Sequence, residues 1–268
     1  MTLNEAKEKF LYECMIRGLT KKTIKCYNDF ISQFIKCVGN GEVSKLTIER
    51  VHTYAESLYS RNLSKATIGT YMRHIKVFVH WLEEMGYLKG KEVYKRIKPP
   101  SAPKKTLRIY SEEEIRLIYS CIKVKPQWLN DRNKLIISLM LDSGLRQNEV
   151  SSIRIHDFYD DYGLLKVRGK GDKERLVPLG LFSRTYLLKY IEGRPFENEI
   201  LFVNRRGKPI TNNTIKLLVQ KMHRELGFEF SSHKLRHNYA TNYCINQYEK
   251  KGMIDIYRLM ILLGHSDI

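Results

Sequence analysis

Two histidines and an arginine crowd into His233-Lys-Leu-Arg236-His237, and Leu263-Gly264-His265 follows near the end of the sequence. On a helix, residues three and four apart share a face, so His233, Arg236 and His237 line up together. An arginine fork grips two phosphate oxygens and a histidine moves a proton near neutral pH, which suits work at a phosphodiester. Two blander readings stay open. One is a helix capped by Ser232 that carries solvated basic residues. The other is a His-x-x-x-His zinc pair, weakened because Lys234 stands where a metalloprotease helix carries its glutamate.

A second basic element lies upstream, in Ser143-Gly144-Leu145-Arg146-Gln147-Asn148-Glu149-Val150. The apolar run Leu135–Leu141 predicts a buried helix stopped by Gly144, which puts Arg146 at a junction between helices. Glu149, three residues on, is close enough to pair with Arg146 or to orient a neighbour. A third element, Leu164 to Leu179, has two β-prone runs around Gly169-Lys170-Gly171-Asp172 and predicts a hairpin with Lys170 at its tip. Basic hairpin tips are often only solvated.

Taken together, these elements resemble the tyrosine recombinase family, the phage-integrase-like site-specific DNA recombinases. The first family box is matched by Gly144-Leu145-Arg146 with Glu149, and the hairpin lysine by Lys170. The second box is matched by His233-x-x-Arg236-His237 and the third by Leu262-Leu263-Gly264-His265-Ser266-Asp267. Any one motif is weak; four in order are specific. The resemblance covers the second half continuously and reaches the helical pattern of the first.

The resemblance implies that a tyrosine attacks a DNA phosphate to leave a 3′-phosphotyrosyl link and a free 5′-hydroxyl, a reaction that needs no ATP. Arg146 and Arg236 would clamp the phosphate, and Lys170 would protonate the leaving oxygen. His233 would assist proton transfer at the nucleophile, and His265 would donate a hydrogen bond to a phosphate oxygen. Glu149 and His237 would fix the arginines and histidines from behind. No carboxylate pair suited to Mg²⁺ accompanies these residues, so the expected reaction uses neither metal nor other cofactor.

There is one departure. The family's nucleophile lies a short way beyond the third-box histidine, but the sequence ends at Ile268, three residues after His265. Tyr239, Tyr243, Tyr248 and Tyr257 all precede that histidine. The expectation is a chain truncated before its nucleophile, which binds DNA without cutting it. The alternative is a non-catalytic DNA-binding protein derived from a recombinase; a metal-dependent nuclease is a poorer third.

Charge agrees with a nucleic-acid partner. The 47 basic and 29 acidic residues leave +18, with 18 against 10 (+8) in residues 1–100 and 29 against 19 (+10) in residues 101–268. Because both halves are basic, two lobes gripping duplex DNA are favoured over a tethered arm. No membrane segment, signal peptide or lipidation motif is evident. Five scattered cysteines without a Cys-x-x-Cys point to a reducing cytoplasm, where such a protein would act at the nucleoid. The family likeness implies a homo-tetramer on two DNA sites.

Four helices are predicted in the first hundred residues, over Leu3–Arg17, Thr20–Val38, Thr47–Arg61 and Ser64–Met85. Arg17-Gly-Leu-Thr20-Lys-Lys-Thr-Ile recurs 44 residues later as Arg61-Asn-Leu-Ser64-Lys-Ala-Thr-Ile, with Thr20 and Ser64 as N-caps. Lys21, Lys22 and Lys65 at these helix starts suit DNA phosphates, although any one lysine more simply aids solubility. A stiff basic linker with three prolines follows, bearing Lys98, Lys104 and Lys105.

The expected organisation is a helical core-binding domain over 1–98, a linker over 99–105, and a catalytic domain over 106–268, incomplete at its end. The expected fold is mainly α with a small antiparallel β-sheet: a four-helix bundle plus an α/β catalytic domain, forming a C-shaped clamp. In the second domain a capping box at Ser111-Glu-Glu-Glu114 opens a helix. Further helices are expected over Leu181–Ile191, Asn212–Leu226, His233–Asn246 and Ile254–Leu263. A strand pair is expected around Arg206-Gly207, and a loop over Asn246–Gly252.

Overall fold

Thr20 and Ser64 cap their helices with matching geometry. Thr20 Oγ1 accepts from Thr23 N at 3.2 Å and lies 2.9 Å from Thr23 Oγ1; Ser64 Oγ repeats both distances to Thr67. Gly18 and Asn62, two residues before each cap, both take positive φ, so the sequence echo is also a backbone echo. The computed structural model describes residues 1–89, 92–101, 108–169 and 172–264. By contacts the chain divides into two units, residues 1–105 and 106–268.

The first unit contains α1 (Leu3–Ile16), α2 (Lys21–Val38), α3 (Ile48–Ser60), α4 (Lys65–Glu84) and a one-turn α5 (Val93–Arg96). Its core is mainly aliphatic, with an aromatic cluster around Phe10. Phe10 meets Tyr27, Phe78 and Trp81 edge-on at 5.1, 5.5 and 5.4 Å. The long α4 supplies Ile68, Ile75, Phe78, Val79 and Leu82, each fully buried, so its start carries weight. Replacing Ser64 by alanine is expected to cost the first unit about 1 kcal/mol. Urea unfolding of the variant beside wild type measures that loss; no loss would mean that Thr67 alone holds the cap.

The second unit runs α6 (Glu112–Cys121), α7 (Gln127–Leu141), α8 (Gln147–Ser151), β1 (Phe158–Tyr159), β2 (Leu164–Arg168), β3 (Glu174–Pro178), α9 (Leu181–Gly193), α10 (Asn212–Leu226), α11 (Ser232–Lys251) and α12 (Ile256–Leu263). The strands form one antiparallel sheet in the order β1-β2-β3. Thus the fold is mainly helical with a small antiparallel sheet. Every residue from Leu135 to Leu141 is buried, and α7 packs against both α9 and α11. Gly180 opens α9 without a capping side chain, and Asp142 from the end of α7 substitutes by accepting from Ser183 N at 2.9 Å.

Several expectations need correction. Ser231, not Ser232, caps α11, accepting from Lys234 N at 3.1 Å. The expected loop over Asn246–Gly252 is helix through Lys251, ended by Gly252 at φ +69°. Gln, Glu and Lys extend a helix well, and Lys250 and Lys251 favour its C-terminal dipole, but this exposed turn has no apolar stripe to announce it. Around Arg206-Gly207 there is a single bridge, Val203 to Pro209, rather than two strands. Asn204 Oδ1 gathers the Arg206 and Lys208 amides at 2.8 and 3.2 Å, and Pro209 lacks the N–H that would extend a ladder. Among the described residues no helix is long and apolar enough to cross a membrane.

Candidate active site

α7 ends at Leu141 with Asp142 as its cap rather than at Gly144; Gly144, three residues past that end, and Gly264, which caps α12, take left-handed backbone, φ +68° and +61°, and each turns a carbonyl toward an arginine. Arg236 NH1 donates to Gly144 O at 2.6 Å, and its NH2 donates to Leu263 O. Arg146 NH2 donates to Gly264 O at 3.0 Å. Neither glycine tolerates a side chain. A Cβ on Gly144 would lie 2.3 Å from the Tyr239 ring, and one on Gly264 would lie 2.8 Å from Arg175 NH1.

Arg146 is the N-cap residue of α8. Its backbone N–H donates to Glu149 Oε2 at 2.8 Å and its NH1 to Oε1 at 3.0 Å. On the other side of this carboxylate, Arg175 NH1 and NH2 donate to Oε1 and Oε2 at 2.9 and 2.8 Å. Glu149 is therefore saturated with donors although it is only 4% exposed. Burial alone would raise its carboxyl pKa. The hydrogen bonds from Arg175 and from the Arg146 backbone, together with the Arg175 charge, overrule burial and hold it below the ordinary carboxylate value.

Arg236 is placed differently. It is buried, its hydrogen bonds go to carbonyl oxygens, and Glu149 stands off at 4.0 Å. Burial first, and the Arg146 charge second, push its pKa down to about 10. It remains cationic at neutral pH, with its charge incompletely balanced by the protein. Arg146, Arg236 and His233 line one groove of about 380 Å³, with Gln147, Lys216 and Ser232 around them. A phosphate there would supply the missing negative charge. Within the second unit, Ser232 Oγ donates to Gln147 Oε1 at 2.8 Å and Gln147 Nε2 to Asn212 O at 2.7 Å, which knits α8, α10 and α11 around the groove.

Of the residues singled out by sequence, the structure brings together Arg146, His233 and Arg236, with Glu149 behind them. His237, half-buried on α11, has its Nε2 3.5 Å from Thr241 Oγ1, one turn along the same helix. Lys170, His265, Lys104 and Lys105 lie outside the described residues. Lys21, Lys22, Lys65 and Lys98 are exposed. Sequence reasoning passed over Arg175. Its signal was alternation along β3, where Arg175 shares a face with fully buried Val177. Among the described residues no three His, Cys, Asp or Glu side chains cluster as metal ligands.

Known proteins share this fold. Residues 108–268 match the phage integrase family, and residues 7–89 match the phage integrase N-terminal SAM-like domain. Tyrosine recombinase XerD of Listeria monocytogenes is 27% identical over 280 aligned residues, covering 99% of this chain and 92% of that protein. Tyrosine recombinase XerA of Pyrococcus furiosus is 28% identical, covering 99% of this chain and 87% of that one. Among solved structures, a lambda integrase dimer bound to a core site superposes with TM-score 0.78 at 19% identity, over 100% of this chain and 96% of that one. The Tn1549 transposon integrase in complex with circular intermediate DNA gives 0.73 at 18%, over 100% and 93%. The chain belongs to the phage integrase family and is a tyrosine recombinase.

Proposed function

We propose that this protein cuts and rejoins duplex DNA at specific sites through a 3′-phosphotyrosyl intermediate, and that the groove of Arg146, His233 and Arg236 holds the scissile phosphate. One observation carries the reading: Arg236 is buried without a full counter-charge, beside a second arginine and a histidine. Solvated basic residues would have scattered over the surface. In the reaction a tyrosine oxygen bonds to phosphorus, the bond to the 5′-oxygen breaks, and that oxygen takes a proton from Lys170. Arg146 and Arg236 stabilise the charge gained by the non-bridging oxygens. His233 assists the proton at the nucleophile, His265 hydrogen-bonds a phosphate oxygen, and Glu149 with His237 orients them.

Residues 1–98 serve as the core-binding domain and residues 106–268 as the catalytic domain, joined by the basic segment 99–105. Lys21, Lys22, Lys65, Lys98, Lys104 and Lys105 meet phosphates. The protein works on DNA as a homo-oligomer, in the cytoplasm at the nucleoid; a lambda integrase tetramer has been seen on a Holliday junction. Tyr239, the tyrosine packed against Gly144, is a poor nucleophile, because burial pushes its phenol up to about 12. No tyrosine follows His265 in the sequence.

The test uses a duplex site selected from a random pool by binding to this protein. Log K should fall linearly with log salt, by about 0.9 for each phosphate neutralised. In EDTA, nicked suicide substrates should trap a covalent adduct with the full-length protein. A flat salt response would sink the DNA reading. Salt-dependent binding with no adduct from the full-length protein would replace the recombinase by a non-catalytic DNA-binding protein.

A further inference from the structure

We infer that Arg175 is a positioning residue of this site, which holds the Glu149 carboxylate and through it the Arg146 guanidinium, and ties both to the carboxyl end of α12. The inference rests on the recombinase reading and extends it to a residue outside the family-like boxes quoted above.

Arg175 uses every nitrogen of its guanidinium on protein. NH1 and NH2 donate to the two Glu149 oxygens, and Nε donates to Leu262 O at 2.8 Å. Its side chain is 9% exposed, against 39% for Arg146. It is not among the residues that line the groove with Arg146, and all its donors are taken by protein, so its charge serves Glu149 rather than a ligand. The bond to Leu262 falls one residue before Leu263 O, the acceptor for Arg236, and two before Gly264 O, the acceptor for Arg146. One side chain on β3 thus joins α8, which carries Arg146, to the turn that receives both other arginines.

The geometry is tight. A Cβ at Gly264 would meet Arg175 NH1 at 2.8 Å and Arg146 NH1 at 3.2 Å, so the two guanidiniums flank the same backbone atom. Strand register places Arg175 opposite Val167 on β2, and Val167 and Val177 are buried beside it. The arginine therefore has a rigid root. A lysine there could reach one carboxylate oxygen but could not also bridge the second and Leu262 O. Without Arg175, two acceptor positions on Glu149 fall empty, and the carboxylate is free to turn and carry Arg146 with it.

The experiment compares wild type, Arg175→Lys and Arg175→Ala in the full-length protein on the selected duplex. Single-turnover cleavage at saturating DNA is expected to fall by about 10–100-fold for alanine and by less for lysine, as loss of an outer contact does at other sites. The Kd should stay within about twofold and the salt slope should not change, since no phosphate contact is lost. Glu149→Ala combined with Arg175→Ala should be no slower than Glu149→Ala alone. A salt slope smaller by about one phosphate would overturn the inference by making Arg175 a DNA ligand; unchanged cleavage, or additive losses, would overturn it too. If the alanine variant does not fold, the lysine variant carries the same comparison. If wild type forms no adduct, the recombinase reading has failed, and the Glu149 titration followed by NMR decides separately. An upward move of that titration in Arg175→Lys supports the brace, and an unmoved titration overturns it.

Discussion

Replacing Arg236 by lysine or alanine is expected to slow DNA cleavage by about 10²–10³, the scale of losing one main transition-state donor. The measurement uses the full-length protein, in single turnover on a nicked suicide substrate. The argument starts from burial. The site holds a guanidinium whose pKa is pushed down to about 10 by burial and by Arg146, while the nearest oxygen of Glu149 remains 4.0 Å away. The protein has already met the cost of desolvating this charge, so the benefit comes when phosphate oxygens gain negative charge during the reaction. Lysine keeps the charge but loses the fork. It cannot serve Gly144 O and Leu263 O while presenting further donors to a phosphate. The loss should appear in the rate at saturating DNA more than in Kd, because many other basic residues hold the duplex. Cleavage within about threefold of wild type would take Arg236 out of the phosphate clamp, well short of the expected loss.

Glu149→Ala should destabilise the second unit by about 3–5 kcal/mol, the usual range when one partner of a buried ion pair is removed. Arg175 and Arg236, with side chains 9% and 11% exposed, would lose the carboxylate between them. Urea unfolding followed by pulsed hydrogen exchange in peptides of the second unit measures the loss, and a change below about 1 kcal/mol would refute the hub role. Glu149→Gln adds a pH signature. The folded carboxyl pKa is depressed, so its contribution is full above the unfolded value of about 4.3 and disappears as pH falls through the lower folded value. The advantage of wild type over the glutamine variant should therefore be greatest near neutrality and shrink below about pH 4. An advantage that grows toward acid would mean that Glu149 is buried as the neutral acid.

Much of the helical framework was legible because its signals are local. Thr20 and Ser64 stand within three residues of the amides they cap, and α10 spans Asn212–Leu226 as its apolar spacing predicts. The end of α11 was missed for the complementary reason: an exposed polar turn is held by propensity and dipole, which leave no periodic mark. Ser232 directly precedes His233 and so reads as the cap, but Ser231 has the extended backbone that a cap needs.

The family, the order of the motifs, and the residue types able to meet a phosphate can all be read from the primary sequence. Those properties reside in short runs such as His233-Lys-Leu-Arg236-His237. Only the tertiary structure decided which of 47 basic residues share one carboxylate. Arg175 meets Glu149 across 26 positions, Arg236 meets Gly144 across 92, and Arg146 meets Gly264 across 118. The physical reason is the reach of each interaction. Helix and turn signals act over three or four residues, whereas a guanidinium selects its partner only after the sheet and helices have closed around it.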